Sequence, residues 1–205
     1  MPNITKVEYE DIPKIARQMR EEGVNLNNEL TNAYTSIASL SSGAWIGKRY
    51  NDLCVQFNTI KPNIDEMNDL VVKQIPFALE TVANNYSQAD SGSNITAAEE
   101  TQPKLMQELR MTNEKVLGFI TSEVQTVQKN VENNFKNATD KMNQIEAIFG
   151  HIVWESEAAT AFKAKFKKLK GDIIESFDAT NKLFTKLMEQ AKQDMEQTEN
   201  ANTVK

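Results

Sequence analysis

Few side chains in this sequence could perform catalysis or bind a metal. It contains one cysteine, Cys54, and one histidine, His151. A single cysteine excludes an internal disulfide and a cysteine-based metal cluster, and a single histidine excludes a multi-histidine site. The sequence has no Glu-x-x-His element of the kind found in di-iron bundles, no glycine-rich phosphate loop and no nucleophile motif. We therefore expect a protein that is not an enzyme and needs no metal or other cofactor.

The remaining candidate groups have simple structural interpretations. Cys54 is expected to be a small core residue, and His151 a polar turn residue. The acidic residues Asp65, Glu66 and Asp69 are expected on a polar helix face. Five lysines alternate with apolar residues, so we expect them on the solvent face, with a membrane surface or an acidic partner as the alternative. These lysines are Lys163, Lys165, Lys167, Lys168 and Lys170.

The composition favours long amphipathic helices. Hydrophobic residues make up 40% and charged residues 25% of the 205 residues, with 7 glycines and 5 prolines. So few turn-forming residues are not typical of an all-β protein, and the sequence predicts an all-α fold. The net charge of −6 makes the chain a poor candidate for nucleic-acid binding, which requires a basic footprint, and we expect no nucleic-acid partner. No apolar stretch is long enough for a transmembrane helix, and the N-terminus lacks the apolar run of a signal peptide.

The helical periodicity is broken at a few positions that define the predicted elements. A first helix is expected up to Leu40, and Ser41-Ser42-Gly43 ends it just before Trp45. A second helix continues to about Ser87, with kinks or breaks at Pro62 and Pro76. Residues 1–90 thus form one hairpin, residues 91–102 a linker, and residues 103–205 a second hairpin. In that second hairpin, a helix is expected to begin at Pro103 and a bend to follow Gly150.

The two tryptophans, Trp45 and Trp154, fall at the two predicted bends and define an internal repeat. When they are aligned, apolar residues coincide without gaps at spacings of seven and of three or four. The aligned pairs include Leu26 and Phe135, Ala33 and Met142, Leu40 and Phe149, Phe57 and Phe166, Ile60 and Leu169, and Ile75 and Phe184. Such spacing is typical of a seam between antiparallel helices. We expect two hairpins, with a tryptophan at each bend, in an elongated arrangement resembling a four-helix bundle.

The bend and the end of the first hairpin carry two motifs. The bend reads Ala44-Trp45-Ile46-Gly47, a Trp-x-Gly, and the hairpin ends in Tyr86-Ser87-Gln88-Ala89-Asp90, a Tyr-x-x-x-Asp. Together they resemble the WXG family, the small early-secreted-antigen-like substrates of bacterial type VII secretion. The resemblance covers almost the whole chain, once per half. The chain looks like a WXG pair fused into one polypeptide.

The resemblance implies a function in protein recognition. Family members pair as helical hairpins, and the Tyr-x-x-x-Asp of one partner is part of the export signal, so Tyr86 and Asp90 become the candidate signal. The bend motif comprises Trp45, Gly47 and their second-half equivalents Trp154 and Ser156. The second half departs from the pattern, since serine replaces glycine and Met195 stands where Tyr86 would fall. We therefore expect one signal per molecule, carried by the first half.

These expectations define a partner and a location. The partner is a type VII secretion ATPase or another component of that machine, with a cognate secreted toxin or a second copy of the chain as alternatives. The protein would be made in the cytoplasm and secreted without a cleavable signal peptide. A different function class, a cytosolic helical chaperone or adaptor for a secreted toxin, is the rival hypothesis. Simpler interpretations also remain: Trp45 as bend packing, Tyr86 and Asp90 as an incidental solvated pair.

Overall fold

The computed structural model describes residues 11–92, 101–151 and 157–202. The helices are α1 (Ile12–Leu40), α2 (Lys48–Asp69), α3 (Ile75–Ser91), α4 (Thr121–Gly150) and α5 (Glu157–Asn202). A single π-helical turn, Leu70–Gln74, joins α2 to α3, and two short strands, β1 (Trp45–Ile46) and β2 (Gly118–Phe119), pair antiparallel. Over the described residues the chain is helical apart from these strands and its connecting segments, and the predicted all-α fold is confirmed.

The predicted seam is the buried core of the helices. Its members are apolar residues at helical spacing, and all are buried in both hairpins except Phe162, the counterpart of Leu53, which is half-buried. In the first hairpin these are Leu26, Ala33, Leu40, Leu53, Phe57, Ile60, Ile64, Ile75 and Leu79. In the second they are Phe135, Met142, Phe149, Phe166, Leu169, Ile173, Phe184 and Met188. The second predicted bend, with Trp154 and Ser156, lies outside the described residues.

The two internal prolines of the first hairpin have different effects. Helix α2 continues through Pro62. Pro76 lies in the first turn of α3, directly after the π-helical turn. A proline has no N–H and its ring crowds the carbonyl of the preceding turn, and at Pro76 the hydrogen-bond ladder changes where this crowding would occur. The Ile75 N–H donates to the Leu70 carbonyl five residues back, which shifts the register just before the proline.

The helix predicted to begin at Pro103 does not form there. Residues 101–117 have no regular secondary structure, β2 follows, and α4 begins only at Thr121. We call residues 106–120 the strap. Its backbone groups at Leu109 and Thr112 bond to asparagine side chains of α2, and its end pairs with β1. The prediction was wrong because these long-range hydrogen bonds replace the local i to i+4 bonds that a helix would use.

The chain divides into two compact units, and each draws on both hairpins. The first contains residues 1–28, 63–105 and 138–172. In its described part, four ion pairs connect α1 to α3, α1 to α4, α4 to α5 and α5 to α2. The π-helical turn joins α2 to α3, which closes the ring of helical segments. The pairs are Arg20–Glu80, Glu22–Lys141, Glu146–Lys170 and Glu66–Lys165. The hairpins therefore pack against each other within one chain, around an apolar interior that supplies most of the stabilisation.

The second unit contains residues 29–62, 106–137 and 173–205. Its interior includes a row of aromatic rings that connects α1, α2, α4 and α5. Tyr34 contacts Phe57, Phe57 stacks on Phe135, and Phe135 stacks on Phe177 with ring centroids 4.0 Å apart. The bend between α1 and α2, both strands and the strap also belong to this unit.

Candidate recognition surfaces

Trp45 is a core residue at the bend between α1 and α2. Its side chain has no solvent exposure. The indole lies 6.3 Å from the ring of Tyr50 and 5.6 Å from the rings of Phe119 and Phe184, measured between centroids. Trp45 thus joins the bend, β2 and α5, which supports the packing interpretation of this half of the motif.

Gly47 occupies a position that no other residue can take without strain. Its φ is +114°, outside the conformations that side chains permit, and a Cβ there would lie 2.7 Å from the Val116 carbonyl oxygen. Its N–H donates to the Thr112 hydroxyl at 2.9 Å. Gly47 therefore permits both the turn at the bend and the close approach of the strap's backbone.

We expect Gly47→Ala to destabilise the protein more than Gly43→Ala does. Both glycines have positive φ, but a Cβ at Gly43 meets nothing within 4 Å, so that variant measures backbone strain alone. The Val116 collision should make the Gly47 variant worse by about 1–3 kcal/mol, the usual cost of overpacking. Urea unfolding of both variants provides the comparison, and equal losses of stability would contradict a role for Gly47 in seating the strap.

Two asparagines of α2 hold the strap through its backbone. The Asn51 carboxamide accepts from the Thr112 N–H at 2.8 Å and donates to the Thr112 carbonyl at 3.0 Å. Asn58 repeats this arrangement with the N–H and carbonyl of Leu109, at 2.8 and 3.1 Å. Each carboxamide therefore bonds the N–H and the carbonyl of one strap residue, as a residue of a neighbouring β-strand would. Sequence analysis missed these residues; the available signal was two asparagines seven residues apart on one helix.

Cys54 lies beneath the strap, on α2 between the two asparagines. Its thiol is fully buried, with Sγ 3.9 Å from the Arg110 carbonyl. Burial is the main reason that the pKa of Cys54 is raised, and it likewise raises the pKa of neighbouring Tyr50. Both groups stay protonated at neutral pH. Burial of Cys54 confirms the prediction of a small core residue.

Tyr86 and Asp90 lie in the last turns of α3, in the first unit. The helix ends at Ser91, and Gly92 caps it with φ +69° and an N–H bonded to the Gln88 carbonyl. Asp90 is exposed and Tyr86 is 37% exposed. The two are one helical turn apart, so they share a face. The phenol and the carboxylate are thus jointly accessible at the end of the hairpin.

The basic cluster lies mainly on the solvent side of α5, as predicted. Lys163, Lys167 and Lys168 are exposed, whereas Lys165 and Lys170 pair with Glu66 and Glu146. His151 is exposed at the end of α4.

The described ranges contain neither a candidate metal site nor a candidate membrane-spanning helix. There, no group of three or more His, Cys, Asp or Glu side chains could hold a metal ion. Within the same ranges, no helix has both the length and the apolar character needed to cross a bilayer. No protein-family model, curated protein or solved structure matches this chain. The candidate recognition residues therefore rest on the sequence motifs and on the geometry described above.

Proposed function

We propose that this protein is a non-enzymatic secreted substrate, or substrate-like adaptor, of a bacterial type VII secretion system. Its recognition signal is Tyr86 with Asp90. The observation that carries the proposal is the accessible phenol and carboxylate on one face of the last turns of α3, in a helical hairpin whose bend reads Trp-x-Gly. A partner that binds them needs a basic group for Asp90 and an apolar slot for the Tyr86 ring.

The stability of α3 does not explain why an aspartate is present at position 90. The C-terminal end of a helix carries a partial negative charge, which disfavours an acidic side chain there. The last turn of α3 contains no basic residue. Asp90 is exposed, and surface substitutions usually change stability little, so an effect on export can be separated from an effect on stability.

We expect Asp90→Asn to abolish most export while changing the free energy of unfolding by less than about 0.5 kcal/mol, as for other surface substitutions. Tyr86→Phe, which keeps the ring, tests the phenol hydroxyl separately. Secreted and cytosolic protein would be quantified for each variant in a host with the secretion system, beside a melting curve.

Met195→Ala and Glu199→Gln are the matched controls, since they change the equivalent positions of the second hairpin. Both should be exported normally, because Met195 offers neither a phenol nor a charge to a receptor. Normal export of the Asp90 and Tyr86 variants would contradict the signal assignment. It would favour the rival hypothesis, a cytosolic adaptor for a secreted toxin.

A further inference from the structure

The strap is attached to its unit mainly through its backbone. Of its apolar side chains, Met106 and Leu109 are buried. Phe119 is half-buried against Trp45. The other four, Met111, Val116, Leu117 and Ile120, are 44–57% exposed. A segment of this length with so little regular secondary structure is uncommon inside a compact unit, and such segments often serve binding. The arrangement resembles a bound peptide more than a packed core element.

The spacing of the two asparagines suits an extended chain. Asn51 and Asn58 are seven residues apart, so they are separated by about 10.5 Å along α2. Their partners, Thr112 and Leu109, are three residues apart, which is about 10 Å in an extended strand. Because each carboxamide bonds an N–H and a carbonyl of the same residue, the pair recognises backbone in extended form and tolerates many side chains between the two contacts.

Two side chains of the strap add selectivity. Leu109 is 4% exposed, so this position selects an apolar residue. Three residues later, the Thr112 hydroxyl accepts from the Gly47 N–H and donates to the Asn51 carboxamide oxygen at 3.2 Å. The site thus fits a four-residue segment that begins with an apolar residue, continues with two variable residues and ends with a hydroxyl residue. The first and last residues of this segment must each have a backbone N–H that can donate a hydrogen bond.

We propose that Gly47, Asn51 and Asn58 form a docking site for an extended segment of a partner protein, and that the strap is its resident intramolecular ligand. The partner segment carries the apolar-x-x-Thr/Ser pattern seen at residues 109–112. It displaces the strap and takes over the same hydrogen bonds. Residues 106–117 of the strap are suited to displacement because they bury two apolar side chains and leave three in solvent, whereas Phe119 stays packed on Trp45. This proposal does not depend on Tyr86 and Asp90 acting in export.

The test uses the full chain and a fluorescein-labelled peptide with the sequence of residues 106–117. A chain carrying Leu109→Pro and Thr112→Pro, which we call the open-strap chain, lacks two backbone N–H groups that hold the strap. Its docking site should therefore be open. It should bind the peptide at least about tenfold more tightly than the wild-type chain, where the tethered strap competes at high effective concentration. Adding Asn51→Ala and Asn58→Ala should remove the gain.

The matched control is in the peptide. A peptide with Thr112→Pro should not bind, whereas one with Met111→Pro, next to the contact, should bind as the unaltered peptide does. Equal anisotropy changes for the two proline peptides, or no binding by an open-strap chain that keeps its helical circular dichroism, would overturn the proposal. Dimerisation of the wild-type chain that the peptide abolishes would also overturn it, by assigning the site to a second copy.

If the open-strap chain does not fold, Cys54 in the wild-type chain gives a second measurement. Its thiol is fully buried beneath the strap, so a chromogenic thiol reagent reacts with it only when the strap opens. Excess unaltered peptide should occupy the opened site and slow the reaction, and the Thr112→Pro peptide should not. The same labelling rate with both peptides would overturn the proposal.

Discussion

Replacing Trp45 with alanine is expected to lower the free energy of unfolding by about 3–5 kcal/mol, the usual cost of truncating a buried large aromatic residue. The indole is fully buried, and the variant would remove its packing against Tyr50, Phe119 and Phe184. Because Phe119 belongs to β2, the variant should also loosen the end of the strap. Urea unfolding measures the first effect, and amide hydrogen exchange near residues 118–120 measures the second.

Phe77→Ala is a suitable control, since it also truncates an aromatic residue but at a position that is 63% exposed. It should change stability by no more than about 0.5 kcal/mol. A Trp45→Ala loss below about 1 kcal/mol would contradict the core role and would shift attention to a direct role of the indole in partner binding. If Trp45→Ala reduces export, its melting curve should fall in parallel, unlike that of Asp90→Asn.

A second large effect is expected from the ion pair inside the first unit. The Arg20 guanidinium donates to the Glu80 carboxylate at 3.0 Å, and both side chains are about 90% buried. Glu80→Ala leaves the guanidinium buried without its charge partner, which should lower the free energy of unfolding by about 3–5 kcal/mol. The double variant Arg20→Met with Glu80→Leu should regain most of that loss, because two apolar residues need no partner.

Unfolding of the single and double variants in urea, at low and at high salt, measures their free energies of unfolding. Lys48→Ala is the control, since it breaks the exposed pair with Asp52 and should cost no more than about 1 kcal/mol. If the double variant is as unstable as Glu80→Ala, the prediction is wrong. The ion pair would then stabilise the unit by more than the neutralisation of two buried charges.

Local sequence determined the helices and their buried faces. Apolar residues at seven- and three-to-four-residue spacing identified the seam positions of both hairpins, since a stripe of that period on a helix can be buried along its whole length. Ser41-Ser42-Gly43 located the first bend, and Pro76 the interruption before α3. These features depend on residues close together in the chain, so their pattern is visible without the fold.

The candidate export residues could also be identified from the sequence, because the motif and its place at the end of the hairpin together select Tyr86 and Asp90. The tertiary structure adds their exposure and the Gly92 cap that ends the helix beside them. The sequence suggested bend packing for Trp45 but could not name its neighbours. Phe119 and Phe184 are far along the chain, and only folding places them against the indole.

The conformation of the strap depends on contacts that its own sequence does not reveal. Residues 103–120 have helix-compatible composition, and a helix beginning at Pro103 was the natural prediction. In the folded chain, Asn51 and Asn58 bond the strap's backbone and β1 pairs with β2, so the segment does not form a helix. Helix propensities differ by less than about 1 kcal/mol per ordinary residue, and hydrogen bonds from about 50–60 positions away can override them. The pairing of Arg20 with Glu80, sixty residues apart, was likewise decided by which helices became neighbours.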